Sequence, residues 1–81
     1  SEYSERTGDF NAAIALCQKI LERDNCHERA HRRLMRCYLA QGQRHLAVRQ
    51  YQTCVELLQA ELQIGASEET EALYRHITGT R

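Results

Sequence analysis

His27, Glu28 and His31 stand in the spacing H-E-x-x-H. On a helix, two histidines four residues apart lie one turn apart and can share a metal ion, with the glutamate between them activating a bound water for hydrolysis. Such a centre needs a third protein ligand and a cleft for the substrate. No third ligand is identifiable, and the chain offers no sheet against which a cleft could form. Cys26 beside the pair extends it only to an adventitious metal site. There is no nucleophile–base–orienter set, no phosphate-cradling glycine-rich loop and no carboxylate dyad. The expectation is therefore no catalytic residue, no metal ligand and no cofactor, with a zinc-dependent hydrolase kept as an alternative.

A second constellation is basic. Arg29, Arg32, Arg33 and Arg36 recur at helical spacing, Arg44 and Arg49 follow, and no acidic residue occurs from Arg29 through Val55. Guanidinium groups on one helix face can hold carboxylates or phosphates bidentately. The competing reading is a solvated face, because charge runs on helices are usually solvent-facing. A direct DNA contact is disfavoured, since the remaining residues cancel the charge and no aromatic groups are interleaved with the arginines.

Composition narrows the rest. The chain has 81 residues, 11 Lys plus Arg against 11 Asp plus Glu, no proline and four glycines. That length supports one small domain, too short for a core together with a deep catalytic cavity. The chain begins without Met and is read as a piece of a longer protein. No apolar run approaches the ~20 residues needed to cross a bilayer. Cys17, Cys26, Cys37 and Cys54 show no metal-type pairing, and three of them fall on apolar helix positions, where a reduced thiol behaves as a small hydrophobe.

The positioning elements are all helical. Expected helices cover 9–24, 27–41, 43–62 and 67–78, after the end of a truncated helix at 1–7. Asp9 and Ser67 are placed as N-caps, with Glu68, Glu69 and Glu71 suiting the dipole of the last helix. Gly42 is placed as a left-handed C-cap, and Gln63 to Ala66 as a loop. Apolar residues recur at three and four on each helix. Tyr38, Tyr51 and Tyr74 lie on those stripes and are read as packing residues rather than ligand anchors.

Residues 8–21 return, altered, thirty-four positions later: Gly8 as Gly42, Ala13 as Ala47, Ile14 as Val48, Cys17 as Tyr51, Leu21 as Val55. This is the tetratricopeptide period, and it implies antiparallel helical hairpins, about four helices in all, forming a right-handed α-solenoid fragment. In tetratricopeptide proteins, which this repeat resembles, the first helix of each pair lines a concave groove, and the resemblance implies that Arg29, Arg32 and Arg36 face it and contact a partner, with Leu39 and Ala40 one turn further.

Three stretches carry a narrower resemblance. A-H-R-R-L-M-R-C-Y-L-A-Q-G-Q-R (30–44), A-V-R-Q-Y (47–51) and E-L-Q-I-G-A-S-E-E-T-E-A-L-Y-R-H-I (61–77) resemble the bacterial transcriptional activator domain family. The ending S-x-E-T-x-x-L-Y-x-x-I is its most specific part. Ala66 stands where that family usually has Pro, Gln63 adds a residue, and Asn25 replaces a common Pro. The resemblance implies a tetratricopeptide-like unit of a cytoplasmic regulator whose DNA-reading portion lies outside these residues. Its partners would be protein: the regulator's other domains, a second protomer in a homodimer, or the transcription machinery. The alternative within binding modules is a general tetratricopeptide scaffold that docks an acidic peptide.

Overall fold

A computed structural model describes residues 10–79 of the chain. The expected truncated helix at 1–7, Gly8 and the Asp9 cap lie outside the described residues. Four helices follow one another: α1 (Phe10–Arg23), α2 (Glu28–Ala40), α3 (Arg44–Leu62) and α4 (Glu68–Thr78). Among the described residues there is no strand.

The chain's punctuation is local chemistry. After α1, the Asp24 carboxylate accepts from the Cys26 amide at 3.2 Å, and His27 then caps α2, its Nδ1 accepting from the Ala30 amide at 3.1 Å. Such a cap satisfies one of the amides that a helix start leaves without an internal partner. Helix α2 ends in a pair of back-bonds, Gly42 N–H to Leu39 at 3.0 Å and Gln43 N–H to Tyr38 at 2.9 Å. Gly42 sits at φ +77°, a conformation that a residue lacking Cβ adopts without strain. At the end of α3 the left-handed position is held instead by Gln63, at φ +56°. Ser67 caps α4, its hydroxyl accepting from the Thr70 amide at 3.4 Å.

Helix α2 is the hub, packed against α1 on one flank and α3 on the other, with α4 touching both α2 and α3. Its sequence explains this. Ala30, His31, Leu34, Met35 and Cys37 are all buried, a wider buried arc than the single apolar stripe of a surface helix. On the first flank Ala30 and Leu34 pack with Cys17, Ile14, Ile20 and Leu21. On the other, Met35 meets Ala47 and Ile77, with Val48, Tyr51, Leu73 and Tyr74 around them. Leu34, Met35, Leu58 and Ile77 are each at most 1% exposed, and burial of such side chains stabilises by about 1.5–3 kcal/mol apiece. Ala13 and Ala47, thirty-four positions apart, are 5% and 0% exposed. Both are small buried residues, and Ala47 packs directly against Met35 and Ile77.

Candidate functional site

The three residues of the H-E-x-x-H stretch are turned to different tasks. His27 spends Nδ1 on the cap of α2. His31, 1% exposed, uses both ring nitrogens: Nε2 donates to the Asn25 carbonyl at 2.9 Å, and Nδ1 accepts from the Gln50 amide nitrogen at 2.8 Å. It thereby ties the α1–α2 turn to α3. Burial, the largest influence, holds its pKa below that of an ordinary imidazole, against the opposing pull of the Asn25 carbonyl and Glu28.

Glu28 crosses to α4. Its Oε2 accepts from Thr70 Oγ1 at 2.6 Å and from the Ser67 amide at 2.9 Å. Burial alone would raise its pKa, but these hydrogen bonds, with Arg32 nearby, outweigh burial and hold it below the usual value. Among the described residues no group of three or more His, Cys, Asp or Glu is arranged to hold a metal ion. Cys17, Cys37 and Cys54 are buried thiols. Burial, chiefly, pushes the Cys54 thiol up to about 12.

The arginine stripe does not form one surface. Arg32 turns toward α4, its guanidinium 3.1 Å from Thr70 Oγ1, 3.9 Å from Glu28 and 3.8 Å from Glu69. Only 16% of its side chain is exposed, so it fastens α4 to α2. Arg29 and Arg36 are exposed and, with Arg33, Ala30 and the cap residue His27, form one wall of a groove of about 150 Å³. Leu16, Cys17 and Ile20 of α1 form the opposite wall. Leu16 is 55% exposed. Sequence reading passed over it because it lies off the buried stripe, one residue before Cys17. A second, open groove of about 420 Å³ runs between α1 and α3 over His31 and Leu34, rimmed by Gln18, Asn25, Gln50 and Thr53.

Helix α4 shows why its residue types occur together. Ser67 is the cap, Glu69 meets Arg32, Thr70 is fully buried against Glu28, and Leu73, Tyr74 and Ile77 fill the core. A family model for the bacterial transcriptional activator domain matches residues 2–78. The chain belongs to that family. No curated protein and no solved structure matches it. Membership of the bacterial transcriptional activator domain family makes this a helical domain associated with transcriptional activation, and the family is a regulatory one rather than a family of enzymes. No helix among the described residues is long and apolar enough to cross a membrane. In this chain, Ser67, Glu69 and Thr70 supply the contacts to Glu28 and Arg32 that lock α4 onto the start of α2.

Proposed function

We propose that this domain is a non-enzymatic protein-interaction module of a cytoplasmic bacterial transcriptional activator. It makes contacts with the regulator's other domains, a second protomer or the transcription machinery, and DNA is reached through a domain outside this chain. One observation carries the reading. Helix α2 is locked from behind by α3 and α4, yet presents Arg29 and Arg36 to solvent on a groove that also exposes Leu16. A rigid helix bearing exposed guanidinium groups suits recognition by surface complementarity, where arginine is among the residues that contribute most. Arg32 contributes indirectly, by holding the platform. The test is Arg29→Glu with Arg36→Glu in the full regulator. Activation of a reporter promoter falls several-fold while the melting temperature of the protein is unchanged; undiminished activation overturns the assignment.

A further inference from the structure

The groove between α1 and α2 combines two chemistries in a small space. On one side, Arg29 and Arg36 stand seven residues apart on one helix, which places them two turns and about 10.5 Å apart along its axis. On the other, Leu16 and Ile20 lie one turn apart on α1 and give the groove an apolar wall. Among the described residues, no acidic side chain lines it. At about 150 Å³ it is smaller than the ~300 Å³ at which drug-sized ligand pockets begin, so it fits an inserted side chain better than a free metabolite.

We propose that this groove receives an acidic amphipathic helix of a partner protein, with two carboxylates seven residues apart and an aliphatic side chain between them. Charge complementarity selects the partner. A carboxylate on each outer turn meets Arg29 and Arg36 in forked hydrogen bonds, while the aliphatic residue one turn in from either end lies against Leu16 and Ile20. This is the helix-in-groove mode, in which residues at i, i+3, i+4 and i+7 carry the recognition. A basic or purely polar helix would leave the apolar wall wet and the guanidinium groups unmatched. The proposal rests on the reading of the domain as an interaction module and names the chemistry of its partner.

The experiment titrates the full chain against a fluorescent synthetic helical peptide with Glu at positions i and i+7 and Leu at i+4. A control peptide carries Lys in place of both Glu residues. The expected result is saturable binding of the acidic peptide alone, weakened as salt rises from roughly 50 to 300 mM as screening requires. Arg29→Glu with Arg36→Glu weakens it about tenfold or more, since attraction becomes repulsion. Leu16→Ser weakens it without altering the salt dependence, and unchanged melting curves show that these variants remain folded. Absence of binding, or equal binding of the lysine peptide, overturns the proposal. So does a wild-type dimer that the arginine variant abolishes, which gives the groove to a second copy, or preferential binding of duplex DNA through the same arginines. The reporter assay separates the two levels. Loss of activation without acidic-peptide binding leaves the interaction module standing and removes only its acidic partner; binding without any effect on activation does the reverse.

Discussion

Glu28 and Thr70, forty-two positions apart in the chain, meet through a hydrogen bond of 2.6 Å from the threonine hydroxyl to the glutamate carboxylate. The same carboxylate oxygen accepts from the Ser67 amide, so the first residue of α2 serves the N-terminus of α4. A negative charge there also meets the positive end of the α4 dipole. The residue that reads as a hydrolytic base in H-E-x-x-H is thus a clamp between two helices.

Removing that clamp costs stability. Hydrogen bonds to charged groups contribute about 1.5–3 kcal/mol each, and Thr70 would be left buried without its acceptor. Glu28→Ala is expected to destabilise by about 2–3 kcal/mol in urea unfolding, and Thr70→Val by somewhat less. The double variant discriminates: residues in contact couple by at least about 0.5 kcal/mol in such a cycle, and strictly additive losses would mean the bond is not formed in solution.

Acid should act through His31 before it acts through Glu28. Burial lowers the His31 pKa in the folded protein, so as pH falls below about 6.5 the unfolded chain takes up the proton first. Stability is complete above that pH and is lost as pH falls toward the folded value. Glu28, also lowered, has the same sign: its contribution is present above the ordinary carboxylate range and lost as pH falls through it. Urea unfolding is expected to give a flat stability near pH 7 to 8, a decline setting in below about pH 6.5, and a steeper one below about pH 4.5. His31→Gln should remove the first decline and keep the second. Persistence of both would move the titration to another group.

What could be read from residues alone follows from what periodicity encodes. A spacing of three and four says which side of a helix is apolar, so the burial of Ala13, Ala47, Leu34 and Ile77 was legible, as were the cap of Ser67 and the turn at Gly42. It does not say which element stands opposite a polar face. Arg29, Arg32 and Arg36 therefore read as one stripe, although α4 approaches only its middle member, and Arg32 is drawn to Thr70 and Glu69. Glu28 has the same history: its partners are supplied by the return of the chain some forty residues on. Gln63 was hidden for another reason. Left-handed positions are sought at glycine, and Gly65 nearby attracted the loop reading, while the positive φ belongs to Gln63.

The two turn glycines make opposite predictions. At Gly42 a Cβ would meet no atom within 4 Å, so the cost of Ala is the backbone conformation at φ +77° rather than a clash. Left-handed geometry disfavours an L-residue by roughly 1–2 kcal/mol, and the lower chain entropy of Ala returns part of that. Gly42→Ala is expected to lose about 1 kcal/mol. Gly65 has equal space and no left-handed requirement, so Gly65→Ala is expected to be neutral or to gain up to about 0.5 kcal/mol through the unfolded chain. Equal losses at the two sites, measured by thermal unfolding, would contradict this account of the α2 terminus.

The alkaline limb tests the packing of α3 on α4. Tyr51 stacks on Tyr74 with ring centroids 3.9 Å apart, and its hydroxyl donates to the Glu71 carboxylate, with contacts of 2.9 and 2.8 Å to the two oxygens. Burial first, then the Glu71 bond and charge, push the phenol up to about 12. A raised pKa reverses the sign found for His31. The unfolded tyrosine loses its proton near pH 10, so the contribution is complete below that pH and lost as pH rises toward the folded value. Near-ultraviolet titration of the folded protein should show a phenol ionising late. Glu71→Gln should bring it down by removing the charge while keeping an acceptor. Tyr51→Phe should abolish that step and cost about 1.5–3 kcal/mol, as for loss of a hydrogen bond to a charged group. If the late ionisation survives Tyr51→Phe, the bond between α3 and α4 is not what raises it.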